Sequence, residues 1–126
     1  MRCAAAVVVA LGLLAAGSSA APAQDKKKPD AAAASFAKDV MPILKASCIK
    51  CHDSKNKKGG LDVSTYDSLK KGGKGGAGVT PGDPDKSSVV TAISGDKPDM
   101  PKKADPLKKD QVDLIARWIK EGAKNN

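Results

Sequence analysis

Apolar residues are spread unevenly along this chain, and their spacing predicts a few short helices separated by long loops. Residues 4–16 form an almost unbroken apolar stretch behind Arg2, and Ala21-Pro22-Ala23 follows as a small-x-small site. That order reads as a signal peptide over residues 1–23. At 13 residues the stretch falls short of the ~20 needed to span a bilayer. Residues 24–34 are rich in lysine and alanine without apolar periodicity, as in a flexible leader. Phe36, Val40, Ile43 and Leu44 then recur at i, i+4, i+7 and i+8, the stripe of an amphipathic helix. Ser35 is placed to cap it, and Pro42 should kink or restart it because proline has no N–H to give.

Beyond residue 53 the periodicity stops. Glycine pairs at 59–60, 72–73 and 75–76, with Pro81-Gly82 and Pro84, predict a loop region to about residue 84. Within it, Leu61, Val63, Tyr66, Leu69 and Val79 are the apolar residues available to cover a ligand face. A short helix is expected at 87–93. The last helix has the clearest pattern, with Val112, Ile115 and Ile119 on one face, Leu114 and Trp118 beside them, and charged residues opposite. Gly122 is its expected stop. The division predicted is 1–23 signal peptide, 24–34 leader, 35–123 one folded domain and 124–126 a tail. No run in it resembles a buried parallel strand.

Between the first helix and the loops stands Cys48-Ile49-Lys50-Cys51-His52. In a helical turn the i, i+3 and i+4 spacing brings two thiols and an imidazole to one face. C-x-x-C-H is the spacing that attaches haem covalently, with the histidine as an iron ligand. Competing chemistries lack residues. A structural zinc site needs four ligands, and outside the pentapeptide only Cys3 remains and there is no second histidine. A thioredoxin-like dithiol needs a preceding strand, and none is predicted. Cleavage of the signal would discard Cys3.

Composition sharpens this picture. One Phe, one Tyr and one Trp are little material for a core, and a haem is a large apolar slab that would add to it. The distal position has Met100 as its candidate, because Met1 goes with the signal and Met41 lies on the approaching helix as core packing. Pro101 disfavours helix at Met100 and so favours a loop that lays the thioether against iron. If Met100 only filled a gap, the iron would be open or held by Lys102 or Lys103. His52 is expected to donate its second ring N–H to a carbonyl of residues 58–60.

These residues also carry a family resemblance. The order Phe36, Asp39-Val40, Pro42-Ile43-Leu44, Cys48-x-x-Cys51-His52, Gly59-Gly60-Leu61, Gly72 to Gly78, Pro81-Gly82-x-Pro84, Ser87-Ser88, Met100-Pro101 and Trp118-Ile119-x-x-Gly122-Ala123 resembles the planctomycete-type cytochrome c domain. That family belongs to the class I cytochromes c. The resemblance implies a small all-α haem domain with long Gly/Pro-rich loops, whose N- and C-terminal helices cross near the haem, with Phe36 near Trp118. It departs at Lys108, where the family often has Thr or Ser after leucine, which leaves Asp105 as the expected cap of the last helix.

The functional expectation is an exported, periplasmic, monohaem electron carrier and not an enzyme, with one haem c on Cys48 and Cys51 and iron ligands His52 and Met100. The alternative is a haem enzyme or gas-binding sensor with an open distal site. The formal charge is +8, and losing residues 1–23 removes one arginine and no acid. Lysines 50, 55, 57, 58, 70, 71, 74, 97, 102 and 103 are expected around the haem edge, where they would steer acidic redox proteins; keeping an exported domain soluble is the alternative use. Nucleic acid is a poor partner without interleaved aromatics. A monomer without a stable membrane span is expected.

Overall fold

Pro42 sets the shape of the first helical segment. It has no N–H for the carbonyl of Lys38, and the turn ahead of it widens: Val40 donates to Ser35 O at 3.2 Å, and Met41 donates to Phe36 O, both five residues back. In the computed structural model, which describes residues 32–126, this π-helical turn spans Phe36–Val40 and α1 restarts as Met41–Ser47. Ser35 caps the turn, its Oγ accepting from Lys38 N. The expected signal peptide and most of the leader lie outside the described residues.

A 3₁₀ turn at Lys58–Gly60, α2 (Tyr66–Lys71), α3 (Ser88–Ile93) and α4 (Lys109–Lys120) follow. Among the described residues there is no strand, only an isolated bridge between Gly73 and Gly76, so the domain is all-α as expected. No helix among them is long and apolar enough to cross a membrane. Helix α2 departs from the loop expected there. Thr65 nucleates it by accepting from Ser68 N, and Leu69 anchors it in the core.

Helix α4 packs on the π turn and on α3. Its centre is Trp118, 1 % exposed. Phe36 stacks on Trp118 with centroids 5.3 Å apart and planes at 28°, while Tyr66 meets both edge-on. The domain's three aromatics therefore form one cluster, with the Phe36–Trp118 approach that the resemblance implied. Its polar atoms are satisfied: the Tyr66 hydroxyl donates to Ala123 O at 2.7 Å and Trp118 Nε1 to Lys124 O at 2.9 Å. Gly122, at φ +105°, stops α4. Gly122 N donates to Ile119 O and Ala123 N to Trp118 O, the paired bonds of a Schellman motif.

Packing continues past the expected bounds of the domain. Ala34 is buried and donates to Glu121. Asn126 accepts from Phe36 N, Ala37 N and Ser35 Oγ. At the other end of α4, Asp105 is exposed and does not cap the helix. Lys108 is the N-cap, and Gln111 Oε1 reaches back to accept from Lys108 N at 3.1 Å. The side chain at the third helical position thus supplies half of a capping box.

Replacing Trp118 by alanine should lower unfolding free energy by about 3–5 kcal/mol, the range for a large buried aromatic. Tyr66→Phe, which removes one hydrogen bond, should cost about 1 kcal/mol. Urea unfolding followed by circular dichroism measures both, and a Trp118→Ala loss under ~1 kcal/mol would mean the cluster is not the core.

Candidate functional site

Helix α1 ends where the chemistry begins. Cys48 is its C-cap and donates to Leu44 O at 2.8 Å. The Cys48 carbonyl then accepts from Cys51 N and His52 N, both at 3.1 Å. Those i+3 and i+4 bonds make the helical turn that the spacing required. Both cysteines are free thiols, half-buried. Two further bonds hold the turn from outside, Lys58 N to Cys51 O at 3.1 Å and Val63 N to His52 O at 2.7 Å.

Met100 comes from the far side of the sequence. Its N–H donates to Ala92 O at 2.9 Å, which ties the loop after α3 back onto that helix. Cys48, Cys51, His52 and Met100 all line one cavity of about 260 Å³. Ala46, Ile93, Pro101, Ala104 and Leu107 are half of the other lining residues, and the surface the cavity presents is largely apolar. Met41 is absent from that lining and packs against the core. Lys102 and Lys103 line the cavity beside Met100 and are exposed.

Burial in this apolar wall pushes the Cys48 thiol up to about 11. The cause is desolvation, which penalises the thiolate. His52 Nδ1 is also buried, and it finds no hydrogen-bond partner among the described residues. A carbonyl of residues 58–60 was the expected acceptor. Those of Lys58 and Gly59 are already engaged, accepting from Leu61 N and Lys74 N.

The cavity's apolar wall also differs from expectation. None of Leu61, Val63, Tyr66, Leu69 and Val79 lines it. Val63, Leu69 and Val79 are buried in the core, and Leu61 and Tyr66 pack against that core. Ile93 and Leu107 take their place, the last residue of α3 and the residue after Pro106. Their signal was position: the apolar residues on either side of the Met100 loop must face what Met100 faces.

This geometry admits a flat apolar ligand held by two thiols, an imidazole and a thioether. Residues 48–103 match the family model described as planctomycete cytochrome C. Over those residues the chain is similar to that family. The match spans the cysteine turn, the glycine loop and Met100-Pro101, and it implies a haem-binding c-type cytochrome. It is narrower than the likeness read from the sequence, since the π turn, α1 and α4 lie outside it. No curated protein and no solved structure matches the chain.

The residues fit a haem c. Two unpaired thiols stand on one turn, the wall beside them is apolar, and a buried imidazole nitrogen has no protein partner. In chain prepared without haem, iodoacetamide should label Cys48 slowly at pH 8 and faster as the pH approaches 11, because only the thiolate reacts. Mass mapping of the alkylated peptide measures this. Rapid labelling at pH 8 would contradict the burial.

Proposed function

We propose that this chain is an exported monohaem c-type cytochrome that carries single electrons between redox proteins. The observation that carries this reading is the cavity itself: His52 and Met100, far apart in sequence, line it together with both cysteines. Cys48 and Cys51 would hold haem c through thioether bonds, and His52 and Met100 would hold its iron. Haem c supplies a one-electron iron couple when bound. A methionine thioether raises the potential of that couple.

The chain's own residues do the rest. With both His52 and Met100 holding the iron, a substrate would find no free ligand position on it, which favours a carrier over an enzyme. Ile93, Leu107 and Pro101 exclude water from the cavity wall, and a dry surround is one of the protein's levers on the potential. The Ala92 carbonyl holds Met100 in place through its N–H. Export agrees with the apolar stretch and small-x-small site of residues 1–23 and with covalent haem attachment.

Expressed with cytochrome maturation machinery, the chain should gain the mass of one haem, and Cys48→Ala with Cys51→Ala should abolish the gain. A mass without haem would overturn the reading. Met100→Ala should lower the reduction potential and let the ferrous protein bind carbon monoxide, which the parent should bind poorly. Ready binding by the parent would instead support an open-site enzyme or sensor.

A further inference from the structure

The loop of residues 72–78 is bonded toward both walls of the cavity. On the His52 side, Lys74 N donates to Gly59 O at 2.8 Å. The segment it holds reaches the cysteine turn through Lys58 N, which donates to Cys51 O, and Val63 N, which donates to His52 O. On the Met100 side, the Ala77 and Gly78 carbonyls accept from Ser88 N at 3.1 Å and Val89 N at 3.2 Å, at the start of α3. That helix ends on Ile93, which lines the cavity, and its Ala92 carbonyl accepts from Met100 N. A tie therefore runs from His52 to Met100 without passing through Trp118. Gly73 closes it on the His52 side. Gly72 and Gly76 have positive φ, so their backbone alone calls for glycine, whereas Gly73 is not among the positive-φ residues. Contact is what excludes a side chain there: a Cβ on Gly73 would collide with Gly59 O, Gly60 C and Leu61 N.

We propose that Gly73 is a positioning residue for the two iron ligands: by letting the loop close on residues 59–61, it sets the separation between the His52 turn and the wall formed by α3 and Met100. This rests on the haem reading and goes beyond it, because Gly73 does not line the cavity. Ligands are held to a metal by what stands behind them, and a displacement of ~0.5 Å is enough to matter. A side chain at 73 would push the 59–61 segment off the loop. Lys58 and Val63 would then carry the Cys51 and His52 carbonyls away from the start of α3. Covalent attachment fixes the group on the side of the cysteine turn, which also bears His52, so the change in spacing falls on Met100, a neutral thioether on the opposite wall. If Gly73 only filled space, its replacement would weaken the whole fold without singling out Met100.

The test compares Gly73→Ala with Gly82→Ala in the full haem-loaded chain. Gly82 has φ +83° and open space where a Cβ would stand, so its replacement strains the backbone and touches neither wall. Imidazole competes with Met100 for the iron. It should displace Met100 from Gly73→Ala at a concentration at least ~tenfold lower than from the parent, the effect of about one lost hydrogen bond, and from Gly82→Ala within ~twofold of the parent. Amide hydrogen exchange is a second readout that needs no haem. In Gly73→Ala the Lys58, Lys74 and Met100 amides should accelerate at least ~tenfold more than the Ile119 amide in α4. Equal acceleration at all of these, or an unchanged imidazole affinity, would make Gly73 a packing residue and overturn the proposal. So would a faster Lys58 amide with Met100 at its parental rate, since the tie would then stop short of the second wall. Should Gly73→Ala fail to fold, Ser88→Pro cuts the tie at its other end. Proline is tolerated at a first helical position, Ser87 before it is already extended at ψ 113°, and the N–H given to Ala77 O is what is lost. The Lys74 and Met100 amides should again accelerate while helical circular dichroism is kept, and a parental Lys74 rate would overturn the proposal. A chain that gains no haem mass removes the carrier reading alone, because the exchange rates still decide whether Gly73 sets the spacing of the walls.

Discussion

Trp118 is the contact on which the rest of this domain depends. On one side it carries the flat face of Phe36, which opens the π turn leading into α1 and so fixes where Cys48 leaves that helix. Through α4 it also fixes α3, which packs on the same helix. Helix α3 in turn carries Ala92, whose carbonyl holds Met100. The two walls of the cavity thus have no need to grip each other across the opening, because both are referred to one buried indole. A cavity built in this way can hold a flat group between its walls while the protein contacts that define it lie behind them.

Much of this was legible in the sequence, and the legible parts are those decided by local chemistry. Ser35 caps because its hydroxyl meets a nearby N–H, Pro42 restarts a helix because it has no N–H, and Gly122 stops one because it tolerates a positive φ. The cysteine spacing fixes a turn by the same logic. What was not legible depended on distant choices. Thr65 had the chemistry of a cap, but its helix is anchored by Leu69 reaching a core that no local pattern reveals. Tyr66 and Val63 were expected on the ligand face, yet burial against Phe36 and α4 claims them first. The Lys108 side chain cannot accept a hydrogen bond, and the cap of α4 is rescued from Gln111, three residues inside the helix.

The scarcity of aromatics turns out to divide the molecule's labour. Of the one Phe, one Tyr and one Trp, Tyr66 was expected on the ligand face. Instead all three meet each other, and mutual edge and face contacts add to what area burial alone provides. The cavity is left to residues without rings, apart from His52 and Pro101. That arrangement suits a group which itself supplies a large flat surface, since small and aliphatic walls can close on it without competing for the same volume.

Backbone accounting bears on His52 Nδ1, a buried polar atom that this economy leaves unserved. The connection after His52 is braced by the glycine loop: Lys74 N donates to Gly59 O at 2.8 Å, and a side chain on Gly73 would collide with Gly59 O and with Leu61 N. Only glycine permits that approach. The brace engages the Lys58 and Gly59 carbonyls, and Val63 N donates to the His52 carbonyl. His52 is therefore placed by its main chain and by its turn, while its buried Nδ1 keeps its hydrogen-bonding capacity. Leaving such a group unsatisfied costs roughly 1–3 kcal/mol.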